Sequence, residues 1–156
     1  MISTTEFIEA TKNQQILKAF GPQHLDRLAA LADEVDFYRD QVIVREGEYP
    51  EFFYLILAGS VGLEIMAGRR PMLLQTLQTG DALAWTSLID GGKGAHFEAR
   101  ALTAGRAIAF DGAKLRQACE ADPAFGYHLM KALLSLVTER LDITRVQLVD
   151  AYATPA

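Results

Sequence analysis

Cysteine is nearly absent from this chain. Cys119 is the single one in 156 residues. That excludes an internal disulfide framework, any multi-cysteine zinc site and an iron–sulfur cluster that needs four thiolates. Histidine is scarce too, and His24, His96 and His128 are far apart in sequence. A metal-binding jelly roll of the cupin kind needs such ligands clustered. Long apolar runs are missing. No stretch approaches the roughly 18 residues of a membrane helix. The first nine residues have neither a basic nor an apolar segment of the kind that directs secretion. The expected setting is therefore a reducing cytoplasm, with no membrane partner. Positive charge is in deficit, with 15 Lys and Arg against 20 Asp and Glu, a net charge of −5. The chain as a whole lacks the basic field that grips phosphate backbones.

What is present suits one globular domain. Apolar residues make up 50% and charged residues 22% of the chain, close to the globular average. Residues 3–33 read as helical. Ser3, Thr4 and Thr5 can cap the start, Glu6 favours a first turn, and Gly21-Pro22 breaks the stretch in two. From Val35 the period changes to that of short strands: 42–44, 52–57, 61–66, 72–77, 97–102 and 107–110. Turns containing Gly47, Gly59, Gly68, Gly80 and Gly91-Gly92 separate them. Such frequent short strands point to a roll or sandwich. Residues 82–90 read as a short helix within it.

Helix returns at 113–120. Asp122-Pro123, an N-cap followed by proline at the first helical position, restarts it and carries it to about Tyr152. Met130, Leu134, Val137, Leu141, Thr144, Leu148 and Ala151 are spaced alternately by four and three, a heptad seam suited to a second helix. A second apolar face, Leu129, Leu133, Leu136 and Ile143, can pack on the roll. The seam predicts a homodimer. The competing reading is one helix wedged into a single core.

The fold class expected is α+β, mainly β: a double-stranded, jelly-roll-like β-roll with N-terminal helices and a long C-terminal helix. The divisions are an N-terminal helical segment (1–21), the roll (22–121), the dimerisation helix (122–152) and a tail (153–156).

Three segments carry a resemblance over roughly residues 22–150. They are Val44-Arg45-Glu46-Gly47-Glu48, then Phe53 to Val61 (FYLILAGSV), then Leu77-Gln78-Thr79-Gly80-Asp81. In this arrangement the chain resembles the cyclic-nucleotide-binding domains of Crp/Fnr regulators, kinase regulatory subunits and gated channels. The resemblance implies a phosphate cassette after Gly80-Asp81. There a short helix offers N–H groups to the cyclic phosphate, an arginine pairs with its charge, and a glutamate takes the ribose hydroxyl.

This chain departs from that pattern. Aligned without a gap from Gly80-Asp81, the cassette glycine falls on Ala84 and the glutamate on Trp85; Thr86 and Ser87 follow, and Leu88 keeps its place. The phosphate arginine falls on Ala95, the next Ser or Thr on His96, and the next alanine on Phe97. Arg100 is retained. Losing the arginine partner of a buried phosphate costs roughly a factor of a thousand in affinity. A cyclic nucleotide in the usual mode is thus disfavoured, and no cofactor is expected.

Lys93, His96 and Arg100 are the candidate replacements for an altered anionic ligand, with the solvated-rim reading preferred for Lys93 and His96. Gly91 to Gly94 lacks the spacing of a P-loop. Trp85 either plugs the pocket or stacks on a flatter ligand. Thr144, followed by Arg145, matches a base-contacting threonine of the family's long helix, or else is a polar break that sets the register of the seam.

Crp/Fnr transcription factors continue into a helix-turn-helix, for which no length remains after Tyr152, so direct DNA binding is not expected. No residues are nominated as catalytic. Cys119 has no recognisable base partner, and the acidic run Asp33, Glu34, Asp36 reads as a solvated edge. The expected role is a non-enzymatic regulatory dimer that docks on a protein partner. The alternatives are a sensor of an anionic small molecule and a cofactor that pairs with a DNA-binding relative.

Overall fold

The computed structural model describes residues 2–12, 14–89 and 94–153. The chain opens with α1 (Thr4–Thr11), whose start is a capping box. The Ser3 hydroxyl accepts from the Glu6 N–H, and the Glu6 carboxylate accepts from the Ser3 N–H at 2.9 Å. A 3-10 segment (Gln15–Ala19) follows, then α2 (Pro22–Ala30), with proline at its first turn. Helix ends earlier than the composition suggests. The acidic run lies in a strand, β1 (Ala32–Phe37), paired in register with β8 (Gly105–Asp111). Pairing overrides local propensity here: Arg106, exposed on β8, bonds Asp36 and Glu34 across the ladder.

The remaining strands are β2 (Val42–Val44), β3 (Phe52–Ala58), β4 (Val61–Ala67), β5 (Arg70–Leu77), β6 (Ala82–Leu83) and β7 (Glu98–Ala101). They form two antiparallel four-stranded sheets, ordered β1-β8-β3-β6 and β2-β7-β4-β5. This is the β-roll expected, flanked by N-terminal helices and a long C-terminal one. The stretch read as a helix over 82–90 splits into the two-residue strand β6 and a 3-10 turn, Trp85–Leu88.

Two cores lie on opposite faces of the first sheet. Along β8 the side chains alternate. Ile108 and Phe110 face the helices, with Phe53, Leu55, Phe7 and Phe125, while Ala107 faces the roll interior with Phe37, Ile56 and Leu83. Phe7 closes edge to face on Phe110 at 6.3 Å and has no exposed surface. Gly59, between β3 and β4, is held at φ +86, and a Cβ there would meet the Ala104 carbonyl at 2.6 Å. Only glycine fits that corner.

The chain then runs through α3 (Gly112–Ala121) and the 31-residue α4 (Pro123–Ala153). Asp111 caps α3, and the Asp122 carboxylate accepts from the Phe125 N–H at the start of α4. Leu129 and Leu133 are buried in the helix-side core and Leu136 packs against it. Ile143, expected on the same face, is 46% exposed because α4 has by then left that core. No helix among the described residues is long and apolar enough to cross a membrane.

Candidate functional site

The cassette follows β6. Ala84 opens it in the left-handed conformation, φ 66 and ψ 40, a region that L-residues other than glycine enter at a cost. That backbone turns the chain from β6 into the short 3-10 turn. Ser87 is fully buried, and its hydroxyl donates to the Ala84 carbonyl at 2.7 Å, which closes the turn on itself. Leu88 joins the helix-side core and Thr86 is half-buried. From outside, Arg116 of α3 donates to the Ser87 carbonyl, and the Tyr49 hydroxyl donates to the Ile89 carbonyl. The last carbonyls of the turn are thus satisfied by side chains that sequence reading did not single out.

On the far side of the cassette, Ala95 is buried. Its N–H donates to the Glu48 carbonyl at 2.9 Å, and its carbonyl accepts from the Gly47 N–H at 2.8 Å. The Glu46-Gly47-Glu48 turn therefore pairs with the cassette's returning strand. The approach is so close that a Cβ on Gly94 would meet the Gly47 carbonyl at 2.1 Å. Ala84, Ala95 and Ala99 belong to one packed cluster with Leu63, Leu77 and Leu83, against which Phe97 also lies. The positions where the resemblance places glycine and phosphate arginine are parts of a continuous apolar core.

Trp85 is not in that cluster. It is half-buried against the helix-side core, and the Arg140 guanidinium of α4 lies over its ring, 5.8 Å from the centroid. Arg140 also donates to Gln75 Oε1 on β5 at 3.0 Å and faces the Asp81 carboxylate at 3.8 Å. Burial pulls its pKa below the ordinary guanidinium value, against the opposing pull of Asp81 and Glu139. Gln75 Nε2 then donates to Thr144 Oγ1 at 3.1 Å and to Gln147 Oε1 at 3.4 Å, while Gln147 Nε2 donates to the Leu74 carbonyl. Arg140, Thr144 and Gln147 lie four and three residues apart on one helix face. Together with Gln75 they latch the outer half of α4 onto β5.

The structure separates the other candidate residues. Arg100 does not reach the cassette. It alternates with Ala99 on β7, so that Ala99 enters the roll while Arg100 bonds Glu98 at 2.8 Å and approaches Glu64 at 3.6 Å on the other face. His96 is exposed. Lys93 lies outside the described residues. Arg145 is exposed and faces Asp142, one turn before it. Thr144 is exposed, and its hydroxyl accepts from Gln75 Nε2 on β5.

The seam residues are presented outward. Met130 is 44%, Leu134 67%, Leu141 45% and Leu148 55% exposed, and Val137 is half-buried. Among the described residues no group of three or more His, Cys, Asp or Glu could hold a metal. Cys119 is a partly buried thiol whose pKa burial pushes up, which opposes nucleophilic chemistry at neutral pH.

The missed residues Gln75, Arg140 and Gln147 left one signal in the sequence. Arg140 and Gln147 fall on the helix face that Leu129, Leu133 and Leu136 otherwise keep apolar.

Solved structures share this architecture. A protein of Geobacter metallireducens GS-15, assigned as cyclic nucleotide-binding, superposes with a TM-score of 0.77 at 26% identity, covering 90% of this chain and 99% of its own. A cyclic nucleotide-binding domain from Methylobacillus flagellatus KT gives 0.81 at 19% identity, covering 98% and 85%. The sensor domain of the transcriptional regulator DNR from Pseudomonas aeruginosa gives 0.69 at 16% identity, covering 91% and 95%. No curated protein sequence matches the chain. The family model for the cyclic nucleotide-binding domain matches residues 34–122, the span from β1 through the cassette to the end of α3. With the roll, the cassette turn and the long helix all in place, the chain belongs to the cyclic nucleotide-binding domain family.

Proposed function

We propose that this chain is a regulatory, non-enzymatic module that keeps the family's fold and long helix but does not take cAMP or cGMP in the usual mode. It acts as a dimeric platform for a protein partner. One observation carries the reading: the cassette is occupied by its own side chains. Ala84 and Ala95 are packed into the roll's core, and Trp85 lies under Arg140 where the resemblance places the ribose carboxylate. Seating a cyclic phosphate would require opening that cluster and desolvating a phosphate beside Ala95, where the family's arginine is missing.

The rival reading, a sensor built from Lys93, His96, Arg100 and Thr144, would have to draw two of these residues away from present partners. Arg100 is committed to glutamates on the other face of β7, and Thr144 to Gln75. Titration calorimetry of the full chain with cAMP and with cGMP tests the proposal. No binding is expected up to about 1 mM, which corresponds to about 4 kcal/mol. Micromolar affinity for either nucleotide would overturn it.

A further inference from the structure

The inner face of β8 is built from small residues. Gly105, Ala107 and Ala109 point inward, while Ile108 and Phe110 point to the helices. Phe37 covers Gly105, so closely that a Cβ there would meet the ring at 2.4 Å. Beyond it, buried Ala107 and Ala109 lie at the bottom of a half-open cleft of about 330 Å³, between β1, β8 and β3 on one side and β2 and the start of β4 on the other. Of the described cassette residues only Leu83, which precedes Ala84, reaches it.

The cleft opens to solvent past Asp36 and Phe52, which are exposed, and its volume is about twice the roughly 150 Å³ that admits benzene. Its floor is apolar, with Phe37, Ile56, Val61 and Leu83 buried there, while Asp36, Gln41 and Tyr54 bring polar groups to its lining. The polar residues at the rim are mostly engaged elsewhere. Asp36 accepts from Arg106 at 2.9 Å, and Gln41 Oε1 accepts from the Tyr38 N–H at 3.1 Å.

Tyr54 is the exception. It lines the cleft, is half-buried, and its hydroxyl bonds to none of the described residues. Burial, helped by the nearby Glu51 carboxylate, raises its pKa, so the phenol stays protonated and available to donate or accept.

From the cleft's size, its apolar floor and the Tyr54 hydroxyl that lines it, we infer a binding site between the two sheets, separate from the nucleotide cassette, for an uncharged, largely apolar ligand of about two fused rings carrying one hydrogen-bonding group. The wall supplies no free cation, so an anionic nucleotide is the wrong chemistry for it. This inference stands whether or not the cassette binds a nucleotide.

The probe is 2-naphthol, titrated into the ¹⁵N-labelled full chain and followed by amide shifts and by naphthol fluorescence. Saturable shifts are expected on β1, β3 and β8, undiminished by 1 mM cAMP. Ala109→Leu fills the cleft and is expected to weaken binding at least tenfold. Tyr54→Phe keeps the shape and is expected to weaken it about fivefold, the worth of one neutral hydrogen bond. If Ala109→Leu does not fold, Tyr54→Phe alone decides. Shifts confined to the protein surface, no saturation at the solubility limit, or undiminished affinity in Tyr54→Phe would each overturn the site.

Discussion

Ala84 shows how much one residue reveals about the cassette. Its backbone occupies a left-handed well that costs a β-carbon about 1–2 kcal/mol, and it does so where the resemblance places a glycine. The turn has been kept and the residue that suits it has been replaced. Ala84→Gly should therefore stabilise the fold, since the relief outweighs one lost methyl contact in the roll's core. We expect a gain of about 1 kcal/mol and a melting temperature higher by about 2–4 °C by calorimetry. A loss of stability would mean that the Cβ packing of Ala84 matters more than its dihedral angles.

Trp85 teaches the opposite lesson. Composition allowed a plug in the pocket or a stacking face for a ligand. The structure places the ring on the helix side of the sheet, under Arg140. No local pattern could reveal this, because the residue that meets the indole lies 55 positions away, on another element.

The elements show why the outer half of α4 stays in place. Its inner half is held by burial of Leu129 and Leu133. Beyond Leu136 the anchoring becomes polar and converges on Gln75, which accepts from Arg140 and donates to Thr144 and Gln147. Gln75→Ala removes all three contacts and little apolar area. Amide hydrogen exchange over residues 140–153 should rise about tenfold, with 123–136 unchanged, since three exposed hydrogen bonds at about 0.5 kcal/mol each come to about 1.5 kcal/mol. The single tryptophan gives a second readout. Arg140→Ala uncovers the Trp85 ring and should shift its emission to the red. Unchanged exchange in Gln75→Ala would show that the helix needs no latch. The strand β1 belongs at this scale too. Its acidic run has poor strand propensity, and it becomes a strand because β8 offers a full ladder and Arg106 offsets the charge.

For the whole molecule, the question is what covers α4. Leu134, Leu141 and Leu148 form an exposed row on a helix whose adjoining face is committed to the roll. Such a row is stable in water when a second helix closes on it. Light scattering should give twice the 17.2 kDa chain mass. Leu141→Glu, which places a charge at the centre of the row, should return the protein to 17.2 kDa without unfolding the roll. A monomeric native chain, or a Leu141→Glu variant of unchanged size, would remove the basis for the dimer.

Much of this organisation was legible in the residues. Short strands between glycine turns, the Asp122-Pro123 restart and the four-three spacing along the last helix led to a β-roll with a long C-terminal helix, because these signals are local and periodic. They depend on backbone sterics and on which side of an element is apolar, and both are written within a few residues of one another. Three things were decided by tertiary structure alone. Arg100 turns away from the cassette, since strand alternation gives the interior to Ala99. Gln75 gathers Arg140, Thr144 and Gln147, since β5 and α4 meet only after the chain has folded back. The cleft above Ala107 and Ala109 exists because β1, β2, β3 and β8 come together around those small side chains. Each depends on which distant surfaces come into register, and that is a property of the assembled sheets.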